Sequence, residues 1–129
     1  MLVKDILIKN KDNQQIALIF KNKKHSYKNI YDRVIRHKKN IKKINCNNIG
    51  IFMENSDEYV VGYFLISFLD KVIVPMESTS KDEQILSTIK YCELNIIITN
   101  DNNISYLYDI LKERAEHNIV IYNISNGCS

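Results

Sequence analysis

The chain has 129 residues, a hydrophobic fraction of 45%, a charged fraction of 26% and a net charge of +3, which excludes a disordered tail and a fibre. Its longest apolar stretch, residues 59–69, is shorter than the roughly 20 residues that span a bilayer, and Lys4 brings charge too early for a secretory signal. We therefore predict one soluble cytoplasmic domain over residues 1–129, without membrane contact.

A small hairpin and an amphipathic helix are the first predicted elements. An apolar run at residues 16–20, a lysine-rich turn and a short return run predict two antiparallel strands. Ser26 can cap a helix, and apolar residues recur every three or four positions from Tyr27 to Ile44, interrupted by Lys38. The opposite face of this helix is basic. Its cations are Lys28, Arg33, Arg36, Lys39, Lys42 and Lys43.

Four apolar runs follow, at residues 49–53, 72–76, 96–99 and 119–122. Runs without alternation are typical of strands buried on both faces of a parallel sheet. The only proline, Pro75, is expected at the end of its strand because it has no N–H for a ladder. Helical segments separate the runs. The order predicts an α/β fold: a Rossmann-like, doubly wound, mainly parallel sheet with helices on both faces, preceded by a small β-hairpin.

Polar residues mark the starts of the helices between these strands. Asn55 with Glu58, and Ser80 with Glu83, have the spacing of capping boxes. The first helix, residues 59–69, is apolar almost all round, so we expect it to lie inside a larger protein or to cover a sheet and be covered itself. The apolar stripes of the later helices are Ile85, Leu86, Ile89 and Cys92, then Ile104, Leu107, Tyr108, Leu111 and Ala115.

The carboxyl ends of the predicted strands are the candidate binding site, because ligands of doubly wound sheets bind in the crevice beyond these ends. Each loop there also begins a helix, so capping and turn formation are the competing interpretation. The many asparagines are attributed to an AT-rich coding bias and are given no functional weight. The candidate crevice residues are Asn55, Ser56, Glu77, Ser78, Thr99 and Asn100.

No catalytic, cofactor-binding or metal-binding residue is predicted. A phosphate loop needs clustered glycines, whereas Gly50, Gly62 and Gly127 are scattered and the first two fall within a predicted strand and helix. No histidine has a metal-ligand neighbour at the right spacing. Glu113 and His117, four residues apart, are interpreted as a surface ion pair.

Cysteines and two acids are the remaining residue types with possible chemistry. The odd count of cysteines, Cys46, Cys92 and Cys128, predicts free thiols in a reducing cytoplasm. Glu54 and Asp101 occupy positions where a phosphoacceptor regulatory domain carries acids. The threonine and lysine that should accompany those acids are not evident, so this interpretation is not favoured.

Taken in order, these segments resemble one known family. Residues 16–34, IALIFKNKKHSYKNIYDRV, resemble the start of the AMP-forming acyl ligases, a superfamily of acyl-CoA synthetases, peptide-synthetase adenylation domains and luciferases. Residues 48–99 resemble its next segment, and the resemblance covers roughly residues 15–101. Leu69-Asp70-Lys71 departs from the A-G-A of the family. The matching residues are Asn55 and Ser56 for its N-S pair, Glu58 for its acid, and Val74 and Pro75 for its V-P pair.

The resemblance implies a function and also what this stretch lacks. The family activates a carboxylate with Mg-ATP to an acyl-adenylate and passes the acyl group to a thiol. Its phosphate loop, its adenine- and ribose-binding residues and its C-terminal catalytic lysine lie beyond the matched stretch, so ATP and Mg are implied for the full-length enzyme only. The hypothesis is a truncated N-terminal portion of an acyl-CoA or acyl-carrier ligase, inactive alone. Its partner would be the remainder of a ligase, or a second copy bound through an apolar surface.

Two alternatives stay open. Residues 1–47 hold thirteen Lys or Arg and three Asp or Glu, a net +10, whereas residues 48–129 have a net −7. The chain could therefore be a stand-alone Rossmann-like module that uses its basic helix on an anionic partner. Tyr27 and Tyr31 fall on the apolar stripe rather than beside the lysines, which does not favour nucleic acid. The other alternative is an independent small enzyme.

Overall fold

The computed structural model describes residues 3–41, 46–113 and 118–125. The helices and strands of these residues alternate in the predicted manner, with one helix added at the start. In chain order they are α1 (Val3–Lys9), β1 (Ile16–Phe20), β2 (Lys23–Ser26), α2 (Tyr27–Asn40), β3 (Asn48–Phe52), α3 (Asp57–Phe68), β4 (Val72–Met76), α4 (Asp82–Tyr91), β5 (Ile96–Thr99), α5 (Ile104–Glu113) and β6 (Val120–Asn123).

Four strands form a wholly parallel sheet in the order β4-β3-β5-β6. In the central ladder Ile51 pairs with Pro75 on one side and with Ile98 on the other. The chain passes from β3 outward to β4 and then crosses back over β3 to β5. The strand order therefore reverses between β3 and β5, the kind of point at which α/β sheets bind ligands. The predicted fold class is confirmed.

The predicted hairpin is confirmed as well. β1 and β2 are antiparallel, with Phe20 opposite Lys23. Lys21 and Asn22 close the turn with φ angles of 50° and 65°. Positive φ at both central residues is the geometry of a type I′ turn, whose twist matches that of the flanking strands.

Each face of the parallel sheet has its own apolar core. On the first face α1, α2 and α3 cover Ile49, Ile51 and Ile98. On the second face α4 and α5 cover Phe52 and Ile97. Successive residues of a strand point to opposite faces, so a strand covered on both sides must be apolar throughout. This requirement explains the uninterrupted apolar runs in the sequence.

Helix α3 lies at the centre of the first face. Val61, Leu65 and Ile66 are fully buried, and α1 and α2 pack against the helix. Gly62 allows close approach to the sheet, because a Cβ at this position would lie 2.9 Å from Cδ1 of Ile51. The prediction that this apolar helix is covered is thus confirmed, and part of the cover is α1, which the sequence did not predict.

Two helix caps lie one residue later than predicted. Ser56, not Asn55, caps α3, and its Oγ accepts a hydrogen bond from the N–H three residues on, at 3.1 Å. Helix α4 begins after Lys81 rather than Ser80, and the Lys81 N–H donates to Oε1 of Gln84 at 2.9 Å. The predicted capping pairs had the correct spacing but began one residue too early. Several polar residues in each loop can accept a hydrogen bond from the first N–H groups of the helix, so the sequence does not decide which of them is the cap.

Strand β4 lies at an edge of the sheet, so the prediction that it is buried on both faces is wrong. Val72 is 57% exposed. Pro75 precedes the last residue of the strand, where it is tolerated because one side of an edge strand has no ladder partner. Strand β6 forms the other edge, and its first residue, Val120, is 53% exposed.

Asp70 occupies the position of the family's glycine. It follows α3 with a φ of 58°, a left-handed conformation that costs a non-glycine residue about 1 kcal/mol. The Lys4 ammonium donates to its carboxylate at 2.6 Å, and this hydrogen bond and charge lower the pKa of Asp70. Asp70 thus replaces the family's glycine without a change of fold, and Lys4 of α1 pairs with its carboxylate.

Helix α2 ends earlier than the predicted stripe and buries a residue that the sequence did not single out. The helix ends at Asn40, and Lys38 is exposed whereas His37 is buried. Nδ1 of His37 lies 2.7 Å from the hydroxyl of Tyr122 in β6. Burial, with smaller contributions from Arg36 and Arg33, lowers the pKa of His37 to about 4. The ring is therefore neutral at pH 7 and joins α2 to β6.

We expect the free energy of unfolding to fall by about 2 kcal/mol between pH 7 and pH 5 because of His37. In the unfolded chain this ring takes up a proton near its ordinary pKa of 6.5, whereas the folded ring resists protonation until about pH 4. The stability that the neutral His37 ring contributes is present above the unfolded pKa of 6.5 and is lost as the pH falls toward the folded pKa of about 4. Urea unfolding of the parent chain and of His37→Gln at both pH values measures it, and equal pH dependence in the two proteins would contradict it.

Within the described residues, no helix combines the length and apolarity needed to cross a membrane. Cys46 and Cys92 are free thiols, the former buried and the latter partly exposed. Some predictions concern residues outside the described ranges: Lys42, Lys43, Ile44, Ala115, His117, Gly127 and Cys128.

Candidate functional site

The carboxyl edge of the sheet carries a hydrogen-bonded network of acids and amides at the reversal point between β3 and β5. Glu54 follows β3 and accepts from the side-chain amides of Asn100 at 3.0 Å and Asn102 at 3.2 Å. The amide of Asn103 donates to its other oxygen. Asn100 also donates to Glu58 of α3 at 3.2 Å. One buried asparagine therefore joins two carboxylates from different elements.

Glu54 stays ionised throughout the physiological range. Burial acts to raise its pKa, but hydrogen bonds from its own backbone N–H and from the three asparagine amides outweigh burial and lower the pKa to about 2. A general acid or base works best with a pKa near the working pH. The arrangement therefore suits Glu54 to holding loops and to contributing negative charge, not to proton transfer.

The network continues to the end of β6. Oγ of Ser125 donates to Glu58 at 2.6 Å and accepts from the backbone N–H of Asp101 at 3.0 Å. The amide of Asn123 donates to the Asp101 carboxylate at 2.8 Å. Glu54 and Asp101, the two acids at the positions of a phosphoacceptor pair, are thus held by asparagine amides. The two acids therefore have separate amide partners, Glu54 at the start of the network and Asp101 near its end.

Three of the six predicted crevice residues have structural duties. Ser56 caps α3. Thr99 is fully buried, and its hydroxyl donates to the carbonyl oxygen of Phe52 at 2.6 Å. Asn100 is fully buried within the acid–amide network. The capping interpretation describes Ser56, whereas the side chains of Thr99 and Asn100 make tertiary hydrogen bonds to residues 42 to 47 positions away.

The other three, Asn55, Glu77 and Ser78, line an open cleft beyond the carboxyl ends of β3 and β4, with a volume of about 490 Å³. Met53 and Met76 also line it but are almost wholly buried, Met53 in the first core and Met76 in the second. The structure thus brings half of the predicted residues together around one concavity. The remaining lining residues are Glu54, Tyr59, Pro75 and Thr79.

Sequence reasoning missed most of the acid–amide network. Asn102, Asn103 and Ser125 were not singled out, because the asparagines were attributed to coding bias. Their partners are 24 to 67 residues away in sequence. The available signal was the clustering of amides directly after β5, because all parallel strands end at the same edge of the sheet and Glu54 follows another of them.

Neither glycine in the described residues is placed to hold a phosphate. A Cβ at Gly50, within β3, would lie 2.8 Å from Cε of Met76, and one at Gly62 would meet Ile51. Gly50 therefore makes room for side chains of β4, β5 and the loop before β5, and Gly62 allows α3 to pack on the sheet. Across residues 3–41, 46–113 and 118–125, no group of three or more His, Cys, Asp or Glu side chains is arranged to hold a metal ion.

A comparison with protein-family models matches residues 8–127 to a family described as AMP-binding enzyme. The match spans almost the whole chain, so it includes the hairpin, the parallel sheet and the cleft. A comparison with curated protein sequences gave no significant match.

Three solved structures illustrate the similarity in fold. The anthranilate CoA ligase AuaEII in complex with anthranoyl-AMP gives a TM-score of 0.78 at 17% identity, covering 95% of this chain and 25% of that one. The NpsA N-terminal subdomain of Klebsiella oxytoca in complex with 3-hydroxyanthranilyl-AMSN gives 0.69 at 20% identity, covering 76% and 26%. IdnL1 gives 0.70 at 10% identity, covering 79% and 22%. This chain spans about a quarter of the length of each.

Proposed function

Because the chain belongs to the family of AMP-binding enzymes, we propose that it is the N-terminal portion of an AMP-forming acyl ligase. Such an enzyme activates a carboxylate with Mg-ATP to an acyl-adenylate and transfers the acyl group to a thiol. The family match over residues 8–127 is the observation that carries the proposal. A place in the cytoplasm is part of it and is supported by the free thiols of Cys46 and Cys92.

Within that ligase the chain acts as scaffold and needs further residues for chemistry. The carboxyl edge does not fit a triphosphate, since Glu54 and Glu77 line its cleft and no Lys or Arg does. Glu54 and Glu58 already accept hydrogen bonds from side-chain amides of the same chain. ATP and Mg would therefore be held by residues outside this stretch, and no catalytic step is assigned to the residues described.

The acyl-CoA or acyl-carrier type of ligase is favoured over the peptide-synthetase type. After Val74-Pro75 the chain continues Met-Glu-Ser-Thr and lacks the D-P-x-Y-P segment typical of peptide-synthetase adenylation domains. The partner we propose is the remainder of the ligase. Self-association through an apolar surface has less support, because α1 and α2 already cover α3.

We expect the 129-residue chain alone to catalyse no ATP–pyrophosphate exchange with a panel of carboxylic acids, because nothing in its carboxyl edge holds a triphosphate. The same chain extended by whatever its reading frame encodes downstream of Ser129 should catalyse exchange with at least one acid. Exchange by the short chain would show an independent small enzyme. An extended protein that folds and stays inactive on every acid would count against the ligase.

A stand-alone module that uses α2 on an anionic partner has less support. Lys28 pairs with Asp32 at 2.7 Å, and Arg33 pairs with Asp57 of α3 at 3.0 Å. The lysines of the last turn lie where cations offset the partial negative charge of a helix C-terminus. The positive charge that α2 offers to a partner is therefore smaller than the sequence implies.

A further inference from the structure

The two outer strands of the parallel sheet, β4 and β6, differ in what their backbones offer to a further strand. Within the described residues each of them has a ladder on one side only. Successive residues of a strand direct their N–H and C=O groups to opposite sides. In β4 the N–H of Val72 donates to the carbonyl oxygen of Asn47, on the β3 side, at 2.8 Å. The backbone groups of Ile73 and Pro75 therefore point outward, away from the sheet.

Pro75 blocks the outer side of β4. Proline has no N–H, so one of the two outward-facing residues of this strand cannot donate to a partner. Proline on an edge strand is one of the means by which proteins prevent further strand pairing. The outer side of β4 is therefore a poor template for another strand.

Strand β6 has no such block. The N–H groups of Val120 and, just beyond the strand, of Ile124 donate to carbonyl oxygens on the β5 side, at 2.8 and 2.9 Å. By the same alternation, Ile121 and Asn123 direct their N–H and C=O groups outward. The strand contains neither proline nor a charged residue. Its outer side thus presents every backbone donor and acceptor that a further strand would need.

The start of the β6 edge is also apolar. Val120 is 53% exposed, and Ile121 is partly exposed although it packs against the second core. Asn123, at the end of the strand, is buried. Unpaired backbone groups beside exposed apolar side chains favour the addition of another strand. Val72 of β4 is exposed to a similar extent, so the outward N–H groups, rather than apolarity, distinguish the two edges.

We propose that the sheet is extended at β6, and not at β4, by a strand from the remainder of the ligase. The occupant is a strand because a row of outward N–H and C=O groups is matched by the backbone of another strand. Its source rests on the proposed function, in which this chain is the N-terminal portion of a longer enzyme. The chain spans about a quarter of the length of three solved structures similar to it, so most of such an enzyme is available to supply the strand.

The amide protons of Ile121 and Ile73 test the proposal as a matched pair. Each belongs to the second residue of an outer strand and points away from the sheet. Hydrogen–deuterium exchange, resolved to single residues by mass spectrometry, is compared between the 129-residue chain and the chain extended by its downstream reading frame. We expect the Ile121 amide to exchange at least about 100-fold more slowly in the extended protein. The Ile73 amide should exchange at the same rate in both.

Proline variants at the same two positions give a second measurement. Each variant removes one outward N–H and one partly buried isoleucine side chain. In the 129-residue chain, we expect Ile121→Pro and Ile73→Pro to lower the thermal midpoint to within about 2 °C of each other. In the extended protein Ile121→Pro should lower it by at least about 4 °C more than Ile73→Pro, because only β6 then loses a ladder hydrogen bond. If a variant does not fold, the amide exchange of the parent sequences still decides.

Three results would overturn the proposal: equally fast amide exchange of Ile121 in both proteins, protection of Ile73 instead, or protection of Ile121 in the 129-residue chain that rises with protein concentration. The third result would assign the edge to a second copy. The outcomes are separable from those for the proposed function. An extended protein that catalyses ATP–pyrophosphate exchange with an unprotected Ile121 is a ligase without the extension at β6. Protection of Ile121 in an inactive extended protein supports the extension and counts against the ligase.

Discussion

Replacing Asn100 by Asp should lower the free energy of unfolding by about 3 kcal/mol at pH 7. Asn100 is fully buried, and its amide donates to Glu54 at 3.0 Å and to Glu58 at 3.2 Å. Aspartate has almost the same shape but replaces this donor with a third carboxylate. Two existing charges would lose a hydrogen bond and face a like charge at short range. Urea unfolding followed by far-UV circular dichroism measures the loss.

The pH dependence of this variant separates charge repulsion from a packing fault. The introduced Asp should have a pKa raised by burial and by its acidic neighbours, so the folded variant binds more protons than the unfolded one at moderately acidic pH. Its penalty should therefore shrink as the pH falls from 7 toward 5. Asn102→Asp is the matched control, because Asn102 is exposed and its side chain bonds to Glu54 alone among the residues that the structure describes. Equal penalties at the two positions would contradict the central place given to Asn100.

Leu65→Ala should destabilise the chain by about 3 kcal/mol, whereas Tyr63→Ala should cost less than about 1 kcal/mol. Leu65 is fully buried in the first core, and Tyr63, on the same helix, is 37% exposed. Removing buried methyl groups costs transfer free energy and leaves a cavity. Denaturant midpoints of the two variants, with unchanged m-values, give the comparison.

This pair of variants tests which face of an almost uniformly apolar helix meets the sheet. Similar losses for Leu65→Ala and Tyr63→Ala would mean that another surface covers Tyr63. That result would restore self-association through α3 as the better interpretation. A large loss at Leu65 alone supports the arrangement in which α1, α2 and the sheet complete the core within one chain.

Local chemistry accounts for what could be predicted of the fold. The runs that became β3 and β5 are apolar throughout because both faces of the sheet are covered. Ser26 was correctly predicted as the cap of α2, since its hydroxyl accepts from the Asn29 N–H at 3.0 Å. The caps of α3 and α4 were displaced by one residue, because neighbouring polar side chains compete for the same donors. Helix α1 has only seven residues, too few for a clear period.

The location of the candidate site could be predicted from the sequence, but the set of residues that line it could not. The carboxyl edge follows from the α/β pattern, so Asn55, Glu77 and Ser78 were found on an open cleft as residues of the strand ends. Met53 and Met76, which also line the cleft, were assigned to strands and given no role in binding. A polar side chain at a strand end can cap the next helix or face solvent. Which of the two it does depends on the path of the loop, which the sequence does not show.

The α/β class and the strand segments follow from local patterns of apolar and polar residues, and the scarcity of glycine follows from composition. All three can be derived from the printed sequence without coordinates. The strand order β4-β3-β5-β6 arises only when the chain folds, because crossovers and core packing select which strands become neighbours. That order brings Glu54 to Asn100 across 46 residues of sequence. It also places β4 at an edge, where the acidic cleft opens. Periodicity carries no information about contacts at such separations, so the network and the cleft emerged from the fold.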